Sequence, residues 1–266
     1  MKVSQLMPSI RYEVEKPFDE KLRRAKELIH IFAGLARDKA CVSCSFGKDS
    51  MVVLWLALQE SKRIAVIFNN TGVQYKDTYE FKEQIVRDWD LKRLIETKPV
   101  KSFWQVAEEH GLPDSDKTKE KCCYYLKEKP FRDAIKEHGF TIAFSGLTAI
   151  ESRQRMFTAC QRGQEYYSRK DGVTKVHPIM FWTPGEVVEF SHRVRIPVNP
   201  AYEKYGIDRL GCVPCTSHKF WREQLAKTNL KLYQFIQEKY FHQKVFGVSN
   251  PLGLVVGVEE AKEAQQ

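Results

Sequence analysis

Leu22, Ala25, Leu28, Ile29, Phe32 and Leu35 recur at helical spacing behind Asp19, which predicts a leading helix over residues 18–37 with one apolar stripe to bury. A regular alternation follows. Short apolar runs at 40–44, 64–68 and 141–144, with a weaker one at 92–95, read as strands, while 50–59, 77–89 and 103–110 read as helices. Strands separated by helices predict a parallel sheet covered on both faces and joined by right-handed crossovers. Ligands of such sheets gather at the carboxyl ends of the strands.

Beyond Gln161 the alternation weakens. Residues 164–176 are polar, and Lys170-Asp171-Gly172 is a turn whose flanks can pair as a hairpin. Pro184 stands at the first position of a helix over 186–193. Residues 202–211 read as loop, and 220–240 as one or two helices broken near Thr228-Asn229. The polar segment 259–266 is expected to fray. No repeat or low-complexity linker appears. The expected organisation is an N-terminal helical segment (1–39), an α/β core (40–164) and a C-terminal part (165–266).

A chain of 266 residues with 42% hydrophobic content can bury one large core with an appendage. Its apolar runs fall short of the roughly 18 residues of a membrane span, and its first twenty residues hold no apolar leader core, so a cytoplasmic location and no membrane partner are expected. Seven unevenly spaced cysteines in a chain this long suggest metal or redox chemistry rather than a disulfide scaffold. Forty-three basic against 34 acidic residues give a net charge of +9, which favours anionic partners. Without a basic tract, that surplus fits a single polyanionic nucleotide as well as a nucleic acid.

Ser45-Phe46-Gly47-Lys48-Asp49-Ser50 lies where the first strand turns into a helix. The helix start offers free N–H groups and a positive dipole end to a phosphate. Gly47 permits close backbone approach, Lys48 supplies a charge, Ser45 and Ser50 supply hydroxyls, and Asp49 can hold Mg²⁺ or cap the helix. The segment is not a Walker loop, since the first glycine and four free positions are missing. Two later strand ends are also polar: Asn69-Asn70-Thr71-Gly72, and Ser145-Gly146 with Glu151-Ser152-Arg153-Gln154-Arg155. An ordinary turn is the alternative reading of each.

Tandem Cys122-Cys123 and Cys212-Val213-Pro214-Cys215 form the second constellation. Thiolates bind zinc or iron–sulfur clusters, and adjacent cysteines suit the larger cluster because their side chains diverge. A redox pair at Cys212 and Cys215, or buried small hydrophobes at Cys122 and Cys123, are the alternatives. Cys41 and Cys44 read as strand core, and Cys160 is unassigned. His110, His138 and His177 fall at element ends and read as surface or capping residues.

Taken in order, these landmarks resemble the phosphoadenosine phosphosulfate reductase family, within the PP-loop ATP pyrophosphatase group. The likeness runs from about Ala40 to about Trp221. It is carried by residues 45–50, Asn70-Thr71-Gly72, Cys122-Cys123, Gly146 with Glu151, Ser152 and Arg155, then Pro178-Ile179 and Trp182, Ile196-Pro197-Val198-Asn199-Pro200 with Tyr202, and finally Arg209 to Cys215. The resemblance implies a five-stranded parallel sheet with an adenine nucleotide across its carboxyl edge, and a smaller C-terminal helical part that completes a cluster site. It implies a 4Fe-4S cluster on Cys122, Cys123, Cys212 and Cys215. It also carries Lys48 and the loop amides to phosphate contacts, Asn70 to Gly72 to the nucleoside, and Arg155 to an anionic substrate group.

Three departures shape the expected activity. Phe46 replaces a glycine frequent in the family's loop, Thr148 replaces an arginine of sulfonucleotide reductases, and no cysteine follows Cys215 where those reductases carry a nucleophile in a Glu-Cys-Gly setting. The first expectation is therefore an ATP pyrophosphatase that uses ATP and Mg²⁺ to adenylylate a nucleic-acid acceptor for sulfur insertion, as in DNA phosphorothioation or tRNA thiolation. Lys48, Asp49 and Arg155 are its catalytic candidates, and a cysteine desulfurase-like protein its sulfur donor. The second is a reductase of adenylyl sulfate or its 3′-phosphorylated form that uses a substitute thiol, Cys160 or a partner's. The third is a cluster-bearing nucleotide-binding subunit without turnover. A homo-oligomer is compatible with all three.

Overall fold

In the computed structural model, which describes residues 1–241, helices α1 (Pro8–Glu15) and α2 (Phe18–Ala36) precede the first strand, β1 (Ala40–Ser43). The chain then runs α3 (Lys48–Glu60), β2 (Ala65–Asn69), α4 (Lys76–Asp88), β3 (Leu94–Thr97), α5 (Phe103–His110) and α6 (Asp116–Cys123). A π-helical turn (Tyr124–Glu128) joins α6 to α7 (Lys129–His138), and β4 (Ile142–Ser145), α8 (Arg153–Arg162), β5 (Glu165–Ser168) and β6 (Val173–Val176) follow. Last come α9 (Pro184–Arg193), α10 (Ala201–Tyr205), α11 (Trp221–Thr228) and α12 (Leu230–Ile236). The segment 259–266, expected to fray, lies outside the described residues.

The six strands form one sheet in the order β3-β2-β1-β4-β6-β5. All pairings are parallel except β5 with β6, the hairpin expected around Lys170-Asp171-Gly172. Five parallel strands are therefore present, and an antiparallel edge strand extends them. β1 pairs with β2 on one side and β4 on the other, so successive crossovers diverge there and open a crevice at the carboxyl ends of β1 and β4.

Strand burial explains the apolar runs. Ala40, Cys41 and Val42 of β1 and residues 65–68 of β2 are at most 2% exposed, as expected of parallel strands covered on both faces. One face packs Cys41, Ala65, Ile67 and Ala143 against Ala134 and Ile135 of α7. Helices α2, α3 and α9 pack together, and Phe18, Trp55, Trp182 and Phe190 meet edge-on or tilted among them. α1, absent from the sequence reading, lays Ile10 and Val14 against Met156 and Ala159 of α8.

The chain divides into two compact units. The first comprises Met1–Asn69, Phe81–Thr97 and Lys129–Asn199, and holds the sheet. The second comprises Asn70–Glu80, Lys98–Glu128 and the described residues from Pro200 onward. Its core gathers Val106, Leu126, Trp221, Leu225, Leu232 and Ile236. The expected loop at 202–211 instead begins with α10, a single turn ended by Gly206 in the left-handed region. Among the described residues no helix is long and apolar enough to cross a membrane.

One buried ion pair locks the first unit. Lys21 of α2 reaches Glu186 of α9 at 2.6 Å and donates to the Val14 carbonyl at 2.6 Å, with its side chain 5% exposed. Removing the lysine strands a half-buried carboxylate, so Lys21→Ala is expected to cost about 3 kcal/mol in urea unfolding. A loss below about 1 kcal/mol would show that water replaces the lysine there.

Candidate functional site: the 45–50 loop and four cysteines

Four residues separate β1 from α3. Gly47 is the helix N-cap in extended conformation and no side-chain cap hydrogen bond is made there, so the start of α3 presents backbone N–H groups and the positive end of the helix dipole, the features of an anion site. Lys48 and Asp49 are half-buried, with Nζ 3.6 Å from Oδ2. Ser50 ties the loop together. Its hydroxyl donates to the Gly47 carbonyl at 2.9 Å, accepts the Ser45 N–H at 3.3 Å and meets the Ser45 hydroxyl at 3.3 Å. The buried Cys44 thiol donates to Ser50 at 3.6 Å, and burial pushes its pKa up to about 11, so it stays protonated at neutral pH.

The end of β4 closes over this loop. A methyl group on Gly146 would stand 2.6 Å from the Asp49 carbonyl carbon and 2.7 Å from the Ser50 nitrogen, so only glycine fits. Beyond it, Thr148 is buried and donates to Glu151 at 3.4 Å, Glu151 forms an ion pair with Arg155, and Ser152 caps α8 by accepting the Arg155 N–H at 3.2 Å. Residues 45–50, Gly146, Glu151, Ser152 and Arg155 thus all lie in the first unit.

His177 corrects the reading of a surface or capping residue. It is 3% exposed at the end of β6, its Nδ1 lies 2.8 Å from the Ser145 hydroxyl, and its Nε2 has no partner among the described residues. Burial, reinforced by the charges of Lys175 and Arg155, drives its pKa from 6.5 to about 3. The imidazole is therefore neutral at physiological pH. Its sequence position, between a strand and Pro178, gave no sign of this.

The second unit holds Asn70, Thr71, Gly72 and the other four cysteines. Asn70 accepts the Gly72 N–H at 2.9 Å and the Tyr79 hydroxyl at 3.0 Å, while Gly72 adopts φ 75°. The Cys212 thiol donates to the Thr71 hydroxyl at 3.5 Å, the Val213 N–H donates to the Val73 carbonyl at 2.7 Å, and Gln74 and Cys212 form an isolated antiparallel bridge. The Asn70-Thr71-Gly72 segment and the Cys-x-x-Cys turn are therefore physically joined.

Burial pushes the Cys122 thiol up to about 12, and the neighbouring sulfurs of Cys212, Cys123 and Cys215 add to it. Cys123 rises for the same first reason, opposed by Lys127 and Lys119. Lys127 in the π-helical turn is held protonated chiefly by Cys212, with Cys123 and Cys215 contributing. Four sulfurs and a lysine thus share one electrostatic neighbourhood. The sequence reading missed Lys127, although its spacing of four from Cys123 in a helical segment was a usable signal. Among the described residues no group of three or more His, Cys, Asp or Glu is set to hold a single metal ion. A cluster differs in that each thiolate binds its own iron, so its ligands need not converge on one point.

A sequence model of the phosphoadenosine phosphosulfate reductase domain matches residues 39–218. The chain belongs to this family. That span contains residues 45–50 and all four cysteines of the second unit. Adenosine 5′-phosphosulfate reductase 1 of Bacillus subtilis is 29% identical over 226 residues, covering 82% of this chain and 94% of that protein. The adenosine 5′-phosphosulfate reductase of Oceanobacillus iheyensis is 30% identical over 66% of this chain and 70% of its own length. Among solved structures, the phosphoadenylyl-sulfate reductase of Candida auris superposes with a TM-score of 0.55 at 20% identity, over 71% of this chain and 87% of its own. Candida glabrata FMN adenylyltransferase superposes with 0.56 at 14% identity, over 80% and 66%. These two likenesses show the fold.

Two glycines test the crowding at β4. Gly146→Ala is expected to destabilise the protein by about 1–3 kcal/mol, because backbone must give way. Gly34→Ala, in the last turn of α2 with nothing within 4 Å of the new methyl, is expected to stabilise it by up to about 1 kcal/mol. Equal effects in urea unfolding would refute the contact.

His177 predicts a pH dependence. Its folded pKa lies below its unfolded value, so the unfolded state takes up the proton first as pH falls. Stability is therefore complete above 6.5 and declines toward 3, by up to about 1.4 kcal/mol per pH unit. His177→Asn should flatten that slope in unfolding measured from pH 7.5 to pH 4.5.

Proposed function

We propose that the chain is a sulfonucleotide reductase that releases sulfite from adenosine 5′-phosphosulfate. The observation that carries this reading is the family match at 39–218, which runs through both the phosphate loop and the four-cysteine set. The names of the relatives weigh the same way, toward the second expectation from the sequence and away from the ATP pyrophosphatase that uses a nucleic-acid acceptor.

In this reading the backbone N–H groups at the start of α3 and the Lys48 ammonium hold the α-phosphate, and Arg155 exchanges its Glu151 partner for the sulfate end. Cys122, Cys123, Cys212 and Cys215 would hold a 4Fe-4S cluster. Their chemistry fits, because four soft donors, one buried and three half-buried, share one electrostatic neighbourhood in the second unit, where iron can take the place of the thiol protons. The cluster, when bound, would supply the iron that replaces the thiol protons. Lys127 stays protonated beside the sulfurs and would offset the negative charge of their thiolates.

The attacking thiol comes from an external dithiol. Cys160, the substitute considered from the sequence, is exposed on α8 with its sulfur 3.8 Å from the Ser9 hydroxyl of α1. One thiolate of the dithiol attacks the sulfate sulfur, and AMP leaves with the electrons of the sulfur–oxygen bond. The second thiolate then attacks the first sulfur, forms the disulfide and releases sulfite. Sulfur gains two electrons and the dithiol loses them.

The absence of a cysteine after Cys215 keeps the ATP reading as the second one. Anaerobically prepared protein is expected to form equal amounts of sulfite and AMP from adenosine 5′-phosphosulfate with dithiothreitol or thioredoxin, and no pyrophosphate from ATP and Mg²⁺. Lys48→Ala should lower kcat/KM by at least about a hundredfold, as expected when a phosphate-clamping charge is lost. Pyrophosphate without sulfite would reverse the order of the two readings.

A further inference from the structure

We propose that Phe46 and Asn199 act as a clamp that sets the phosphate loop in its anion-binding conformation before any ligand arrives. The proposal rests on residues 45–50 being the phosphate loop. It assigns a positioning role to a bulky residue in the left-handed region.

Phe46 has φ 56°, in the left-handed region where a bulky side chain is a genuine outlier. A glycine would adopt that angle without strain, so a phenylalanine persists there only if its surroundings over-determine it. They do so at three points. The ring is 0% exposed and meets Phe68 of β2 edge-on, with centroids 5.4 Å apart. The N–H donates to the Cys44 sulfur at 3.4 Å. The carbonyl accepts from Nδ2 of Asn199, itself 2% exposed and 153 residues away in sequence, at 3.3 Å.

Each point fixes a different part of the residue: the ring below the loop, the amide toward β1, and the carbonyl toward the segment after α9. The ring cannot leave the core without withdrawing the loop backbone, and the backbone cannot relax without losing the Asn199 bond. A glycine at this position would leave the loop free to sample many conformations, and ligand binding would have to order it. A loop already fixed avoids that entropic loss. The clamp adjoins Gly47, whose extended backbone starts α3, so it also orients the N–H groups that face the anion.

Hydrogen exchange of the ligand-free full chain tests the clamp directly. Asn199→Ala removes the donor and leaves the ring. It is expected to speed exchange in the peptide covering 44–50 by about tenfold while β3 exchanges at the wild-type rate, the signature of local rather than global opening. The dissociation constant of inorganic pyrophosphate, measured by calorimetry, should rise by about tenfold, and saturating pyrophosphate should restore protection. Phe46→Leu, which keeps an apolar anchor, should stay within about threefold of wild type in both readouts, whereas Phe46→Gly should match Asn199→Ala. Should Phe46→Gly fail to fold, Asn199→Ala decides alone. Wild-type exchange at 44–50 in Asn199→Ala, a uniform acceleration across the sheet, or no pyrophosphate binding by the wild-type protein would each overturn the proposal. Missing sulfite with the exchange result intact would count against the reductase reading alone.

Discussion

Everything at the carboxyl edge of the sheet depends on two backbones touching. Gly146 passes so close to Asp49 and Ser50 that a methyl group cannot be accommodated. The contact follows from the strand order: β1 and β4 are neighbours, Ser43 stands in register with Ser145, and the chains leaving both strands must use the same narrow space. Small residues resolve the conflict. Ser43, Ser145 and Gly146 keep the strand ends free of bulky side chains, which suits an anion held by main-chain N–H groups. Lys48 then adds a full charge to a site whose recognition is otherwise carried by the main chain.

The second unit meets the opposite problem. Its four sulfurs are buried or half-buried together, and burial favours the neutral thiol, as the raised Cys122 and Cys123 show. Lys127 is displaced the other way in the sense of charge, because the sulfurs beside it favour its protonated form. A pocket that disfavours thiolates while holding a cation against them is poorly satisfied in isolation. A metal that replaces several protons at once would relieve it, which is the physical content of the cluster proposal. The Thr71–Cys212 contact places the segment expected at the nucleoside on the same support as these sulfurs.

Much of the first unit was legible in the sequence because its signals are local. The apolar runs at 40–44 and 64–68 carry their own burial, and Pro184 marks the start of α9. What the sequence concealed depends on tertiary partners. α8 has a charged sequence, Arg-Gln-Arg-Met-Phe-Thr-Ala-Cys-Gln-Arg, and its narrow apolar face of Met156 and Ala159 is recognisable only once α1 lies against it. α6 is almost wholly polar and depends on its capping serine, Ser115, and on the burial of Cys122. The site shows the same division. The loop and the cysteines announce themselves by residue type, whereas the burial of His177 and the proximity of Lys127 to the sulfurs arise from chain crossings that no local pattern encodes.

A count of thiols narrows the chemistry further. Of the seven cysteines in this chain, Cys41 and Cys44 are locked in or beside β1, with pKa values raised by burial, so neither is a nucleophile at neutral pH. Four others share the second unit and, under the cluster proposal, are committed to iron. Cys160 remains, and its sulfur faces the hydroxyl of Ser9 on α1 rather than the loop residues tied together by Ser50. Under the proposed reductase reading, none of these seven thiols is placed to attack the sulfonucleotide, and the attacking thiol would come from the external dithiol. The turnover rate should then depend on the concentration and identity of the dithiol to a degree that an enzyme with its own nucleophile would not show, because bond formation to sulfur becomes a bimolecular step between the bound nucleotide and the donor.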